Sequence, residues 1–291
     1  MKASSTGPRL IVNADDYGYF GCVSRGIVEA AAQGIVTATG VFANSPRFAE
    51  YAEWLRECPT LDTGIHLNLT YGVPLTKEMS TRLARWSGRF PGKFSLAFAL
   101  LSGLLRPDHV RAEWRAQIER CLDIGLRVRF LNSHEHVHML PSLSGVVAEL
   151  AAQYGIEHVR QTSCDLAWNS PAALFRTAAL KMVSARRGAT GHHVEVLGLE
   201  VSGKLDRSYL ERTIPHLRAG RLYELMCHPG RFDSDEVKDP RLLRYHDWEG
   251  ELRTLLEPRV RALLDGYCVR LIGYRDLEFT RPQFALPAEA H

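Results

Sequence analysis

The chain has 291 residues, 45% of them hydrophobic and 24% charged, with a formal net charge of +3. That apolar fraction excludes a disordered chain, and the length holds one large α/β domain or two modest ones. So small a net charge leaves no electrostatic footprint for nucleic acid, and no stretch has the apolar length of a transmembrane helix.

Short apolar or β-branched runs alternate with longer segments of helical period. Arg9–Asn13 is predicted as a strand and Ser24–Gln33 as a helix that stops before Gly34. Val36–Phe42 is a second strand, Pro46–Glu57 a helix with proline near its start, and Thr63–Leu69 a third strand. From Tyr71 to Pro107 the pattern loosens into an insertion. Asp108–Ile124 is a helix with Asp108 as N-cap, and Arg127–Asn132 a strand. Ser142–Tyr154 (helix), His158–Gln161 (strand), Pro171–Ala185 (helix) and Leu197–Val201 (strand) follow. Ser208–Leu217 is a helix, Leu222–Cys227 a strand, Glu249–Leu264 a helix and Val269–Ile272 the last strand. Some seven or eight β-then-α units predict parallel strands closed, or nearly closed, into a (β/α) barrel. With no linker or internal repeat, residues 1–291 are expected to form a single domain carrying an insertion at about 71–107.

The insertion is apolar from Phe94 to Leu105 and too short to span a bilayer. A core or lid helix is the first reading. An apolar wall for a lipid-linked substrate, a shallow membrane contact and a dimer interface are the alternatives. Nearby Lys93, Arg106, Arg111 and Arg115 could meet a phosphate or simply line a solvated face. The six cysteines include no CxxC pair and suggest free thiols in a reducing compartment. The polar residues 1–8 lack the apolar stretch of a secretory signal, so a cytoplasmic location is expected, with contact at the inner face of the membrane as a variant.

Polar clusters fall at the ends of the strand-like runs, where a β/α barrel builds its active site. Asn13-Ala14-Asp15-Asp16-Tyr17-Gly18 puts two carboxylates side by side, a costly arrangement unless a cation or proton separates their roles. Neighbouring residues at a strand end point in different directions, so one can hold a metal while the other takes a proton from water. In Gly64-Ile65-His66-Leu67-Asn68-Leu69 the alternation puts His66 and Asn68 on one face, and Gly64 leaves room for a close approach. His134-Glu135-His136-Val137-His138, if extended, places three histidines on one face. His134 is expected beside His66, with His136 and His138 orienting ligands or touching substrate. His228, before Pro229, is held non-helical and is a candidate general acid. Its neighbour Cys227 should point the other way, which argues against a nucleophilic thiol. Arg160 is a candidate partner that keeps Asp15 ionised.

These four motifs, in this order and spanning residues 9 to about 275, resemble the YdjC-like carbohydrate deacetylase family, which includes chitooligosaccharide deacetylase and hopanoid-associated deacetylases. The resemblance implies a distorted (β/α) barrel like that of the polysaccharide deacetylases, and metal-dependent removal of acetyl from an N-acetylated amino sugar. It implies one divalent ion (zinc, magnesium or manganese) on Asp16, His66 and His134, with Asp15 as base and His228 as acid. The substrate would be an N-acetylhexosamine of an oligosaccharide or of a lipid-linked glycan, and a homo-oligomer is an open expectation. The chain departs from the family at Asn132, where aspartate is common, and Glu135 follows His134 where the family often has histidine. A metal phosphoesterase on a similar barrel and a non-catalytic sugar-binding barrel are the competing readings. The first needs more carboxylates at strand ends than this chain offers, and the second would have lost Asp15 or His228.

Overall fold

A computed structural model describes residues 7–161 and 194–277. Strand β1 (Arg9–Tyr17) lies at the centre of an eight-stranded sheet in which every pairing is parallel. On one side follow β2 (Ala38–Val41), β3 (Asp62–Leu67), β4 (Val128–Ser133) and β5 (His158–Val159). On the other lie β7 (Leu222–Cys227) and then β6 (Val194–Leu197), while β8 (Arg270–Leu271) pairs with the first two residues of β1.

The pleat of β1 sorts its side chains. Leu10, Val12 and Ala14 join the main core, which includes helices packed outside the sheet. Ile11 turns the opposite way, into a second cluster with Ala38, Phe130, Val194, Leu222 and Tyr274. Phe130 belongs to β4 and Val194 to β6, far apart in strand order, so their meeting requires the sheet to curl on itself. The result is a curled parallel sheet resembling a distorted barrel, as the sequence led us to expect. Its floor is apolar: Phe130 stacks on Tyr274 with ring centroids 4.2 Å apart. Gly64 faces that ring, and a Cβ there would lie 2.5 Å from it. Above this floor the inward positions become polar, and the motifs lie in that layer.

Helix α1 (Gly21–Gln33) follows β1, and α2 (Phe48–Arg56) follows β2. Residues 71–107 contain α3 (Lys77–Arg82) and α4 (Lys93–Leu101). Helix α5 (Pro107–Asp123) buries Val110, Trp114, Ile118 and Cys121 at helical spacing, and it also buries Glu113 and Gln117. Glu113 accepts hydrogen bonds from the Leu75 and Thr76 amides and the Thr76 hydroxyl. Gln117 accepts from Asn68 N and donates to Asn68 O, both at 2.9 Å. This one helix thus anchors both the loop after His66 and the segment at Leu75 and Thr76. Arg111, on its exposed side, pairs with Asp108 and Glu149, a solvated ion network rather than a free phosphate site.

Several boundaries differ from expectation for identifiable reasons. Glu249–Leu264 is two helices, α9 (Trp248–Leu256) and α10 (Pro258–Gly266), because Pro258 lacks the N–H needed to continue the first and opens the second. They follow α6 (Ser144–Gln153), α7 (Arg207–Thr213) and α8 (Pro240–Tyr245). The strand expected over Leu197–Val201 lies earlier, at Val194–Leu197, and stops before Gly198, whose φ of 89° leaves the extended region. The helix expected over Pro171–Ala185 and Cys164 lie outside the described residues. Helix α4 is only half core: Leu96 and Ala99 are buried, but Phe94, Phe98 and Leu101 face solvent.

Candidate metal centre

Strand β1 pairs in regular register with β2 up to Ala14↔Thr39 and resumes at Tyr17↔Val41. Two residues of β1, Asp15 and Asp16, there stand opposite one of β2, Gly40, which makes a β-bulge at the two aspartates. Asp16 adopts φ 71°, a left-handed conformation that costs a non-glycine residue about 1–2 kcal/mol. The bulge sends adjacent carboxylates to different partners.

Asp16 Oδ1 lies 3.2 Å from His66 Nε2 and 3.1 Å from His134 Nδ1. Candidate ligand atoms of these three residues fall within 4.8 Å of one another. Among the described residues this is the one such Asp/His/His group, and Asp16 and His66 are fully buried. Asp15 instead receives both Arg160 nitrogens, at 2.6 and 2.9 Å, and the side-chain amides of Asn13 and Asn132, each at 2.9 Å. The expected Arg160–Asp15 pair is therefore present, and Arg160 is bidentate and wholly buried.

Hydrogen-bond logic fixes the His66 tautomer. Asn132 must present its Nδ2 to Asp15, since a carboxylate only accepts, so its Oδ1 faces His66 Nδ1 at 2.8 Å. His66 Nδ1 is then the donor, and in the neutral ring Nε2 carries a lone pair pointed at the Asp16 carboxylate. A lone pair against an anion is repulsive unless a cation or proton lies between them. Two imidazoles and one carboxylate are donors suited to zinc and similar borderline ions, so the residues fit a divalent metal. The amide of Asn132 lets one side chain bond Asp15 and His66 together; an ionised aspartate there would oppose Asp15.

The electrostatics follow the partners. Burial pulls the Asp15 carboxyl upward, but Arg160 and then His66 outweigh it and hold it at about 2. Asp16 is likewise raised by burial and lowered further by His134 and His66, ending well below the usual carboxylate range. Burial lowers His134, yet Asp16 reverses the sign and raises it. Glu224, on β7, shares Arg160 at 2.6 Å, but for this second carboxylate burial wins and its pKa rises. One guanidinium thus bonds two carboxylates, and it outweighs burial at Asp15 but not at Glu224.

The remaining candidates occupy distinct places. His228 follows β7 on the inward side. Its amide donates to Glu251 Oε2 at 2.5 Å, its Nδ1 has no hydrogen-bond partner, and its charge reaches Asp15. Cys227 faces outward, with its Sγ against Asn13 O and its thiol pushed up by burial, as befits a non-nucleophile. The segment 134–139 is not extended. It is a 3-10 turn kinked at Glu135 (φ 53°) and His136 (φ 54°), so its three histidines do not share a face. His134 reaches Asp16. His138 bridges Ser133 Oγ (2.5 Å) and Arg160 O (2.9 Å), holding the backbone of the arginine that holds Asp15. His136 lies near enough to Arg160 to feel its charge; burial and that charge lower it to about 3. Asn68 lies past the end of β3, and its amide is occupied in a turn with Thr70, Tyr71 and Asn44.

Some residues of the site were not singled out from sequence. Glu224 was visible as a charge inside the apolar run Leu222–Cys227. Gly40 carries no local signal, yet a Cβ there would lie 2.9 Å from Asn132 Oδ1 and 3.2 Å from the His66 ring. His246 packs edge-on against His228 at 5.3 Å and stacks on Trp248, and burial followed by His228 lowers its pKa to about 3. Tyr19 and Phe42 stack together and both press on His134.

Known proteins share this arrangement of chain. A carbohydrate deacetylase of Mus musculus is 31% identical, covering 96% of this chain and 98% of its own. One from Geobacillus stearothermophilus is also 31% identical, over 91% of this chain and 96% of its own. A crystal structure from Enterococcus faecalis, of a candidate cellobiose-phosphate cleavage protein, superposes with a TM-score of 0.72 at 25% identity, covering 92% of this chain and 98% of its own. The sequence pattern described as YdjC-like protein matches residues 9–266, and with that match over most of its length the chain belongs to the YdjC-like family.

Proposed function

We propose that this protein is a divalent-metal-dependent N-deacetylase that releases acetate from an N-acetylated amino sugar, with Asp16, His66 and His134 holding the ion, Asp15 as base and His228 as acid. The observation that carries this reading is the division of labour at the bulge: one aspartate belongs to the imidazoles, its neighbour to a buried arginine. The carbohydrate deacetylases that this chain resembles support it.

A divalent ion in such a site supplies Lewis acidity for the acetamide carbonyl and lowers the pKa of water. The chain's own residues do the rest. Asp15, kept ionised by Arg160, accepts the proton from the attacking water. Asn132 holds His66 in the tautomer that leaves Nε2 free, and it braces Asp15 through the same amide. His228, anchored through its amide to Glu251, protonates the departing amine from its free ring edge. His136 and His246, both held neutral by burial, add no competing charge. The two imidazoles favour zinc over magnesium or manganese.

Mass spectrometry of N-acetylhexosamine oligosaccharides and lipid-linked glycans, after incubation with metal-loaded protein, tests the proposal. Loss of acetyl from one class is expected, and phosphate release without acetyl loss would instead favour a phosphoesterase. Asp15→Asn should keep the metal and lose about 10²–10⁴-fold in turnover, the usual worth of a general base. Full activity in that variant removes Asp15 from the mechanism.

A further inference from the structure

Residues 71–107 concentrate the chain's positive charge. Lys77, Arg82, Arg85, Arg89, Lys93 and Arg106 stand against Glu78 alone. That leaves the segment at net +5 in a chain of +3, so the remainder is net negative. All six cations are exposed. In the same segment α4 presents Phe94, Phe98 and Leu101, spaced to share one helix face, at 82%, 57% and 90% exposure. The opposite face of the helix, Leu96 and Ala99, is buried, so α4 is fixed to the body with an apolar stripe outward. Lys93 marks one end of the stripe, and past its other end Leu104 lines a hollow with Lys77, Glu78, Thr81 and Arg82.

We propose that α4 seats the protein on an anionic lipid bilayer, the apolar stripe entering the headgroup–acyl boundary and the surrounding cations meeting lipid phosphates. An exposed apolar helix face within a stretch rich in lysine and arginine is the pattern of an interfacial helix. A second copy of this chain is a poorer occupant, because it would bring the same cations against themselves. No helix among the described residues is long and apolar enough to cross a membrane, so the contact is peripheral. It lies beside the site: Lys93 Nζ is 3.1 Å from Glu135 Oε1, on the turn that carries His134.

Co-sedimentation of the full chain with vesicles tests this without reference to any reaction. Binding is expected to vesicles of phosphatidylcholine mixed with phosphatidylglycerol, weakened by salt, and not to phosphatidylcholine alone. The variant Phe94→Ser/Phe98→Ser/Leu101→Ser should lose that binding while keeping the thermal midpoint, since all three side chains stand in solvent. Arg82→Gln/Arg106→Gln should weaken partitioning about thirtyfold, about fivefold per cation. Absence of binding to the mixed vesicles, equal binding to neutral ones, or binding that survives both variants overturns the proposal. So does concentration-dependent dimerisation that the triple variant abolishes, which would give the stripe to a second copy.

Discussion

Arg160→Met removes the cation shared by two buried carboxylates while keeping much of the side-chain volume. Asp15 and Glu224 are both essentially inaccessible, so neither can turn to water for compensation. Removing one partner of a buried ion pair costs about 3–5 kcal/mol, a large share of the ~5–15 kcal/mol that holds a domain folded. The pH dependence gives a sharper signature. In the parent protein Asp15 lies at about 2 instead of 3.8. That depression is worth roughly 2–3 kcal/mol; it is present above the unfolded value and lost as pH falls through the folded one. Without Arg160, burial loses its main opponent at both acids and raises them relative to the parent, although His66, Asn13 and Asn132 still favour the charged form of Asp15. The folded variant then binds protons that the unfolded chain has released, so its stability rises as pH falls from about 7 to about 5. The Asp15 contribution in the parent does not change over that range. Urea unfolding of both proteins, followed by tryptophan fluorescence at the two pH values, reads the effect. A variant within about 1 kcal/mol of the parent, as an exposed pair would give, or one whose pH dependence runs parallel to the parent's, refutes this account of the buried trio.

Two further outcomes test the site from other directions. Gly40→Ala should push the added Cβ into Asn132 and His66 and disturb their hydrogen bond. Metal affinity, read by competition with a chromogenic chelator, should fall about 10–100-fold, and unchanged affinity would mean that His66 needs no such support. His228→Gln should cost about 10²–10⁴-fold in kcat on an N-acetyl sugar, the range of a general acid. It should cost far less on an activated acetate ester, whose leaving group needs no proton. Equal losses on both substrates would make His228 structural.

Strand-end chemistry was legible where it rested on local pattern. The alternation in Gly64–Leu69 placed Ile65 and Leu67 in the outer core and His66 inward, and the residue beside His228 pointed away as strand parity demands. Legibility failed where conformation left the regular period. Alternation implied one face for His134, His136 and His138, but two left-handed residues in succession broke that geometry. A pleat argument cannot foresee that, because it assumes the strand continues. Gly40 and Glu224 were missed for a different reason. Their importance lies in which side chains of other strands face them, and those are set by register between strands that are separate in sequence.

The paired aspartates show how one local irregularity governs the electrostatics of the whole site. On a regular strand Asp15 and Asp16 would face opposite sides of the sheet, and one would be driven into the apolar layer beneath the helices. An extra residue in β1 removes that outcome, since the bulge turns Asp16 back toward the barrel mouth. Both acids then reach the polar layer, yet their closest partners differ, with only His66 felt by both. Asp15 points at a guanidinium anchored from β5 and β7, and Asp16 at imidazoles from the ends of β3 and β4. Strain of about 1–2 kcal/mol at Asp16 is small against the several kcal/mol that an unpaired buried carboxylate would cost. Regular pairing through this stretch would therefore do more damage than loss of either aspartate's charge, because it would leave an acid buried against hydrocarbon with no cation within reach.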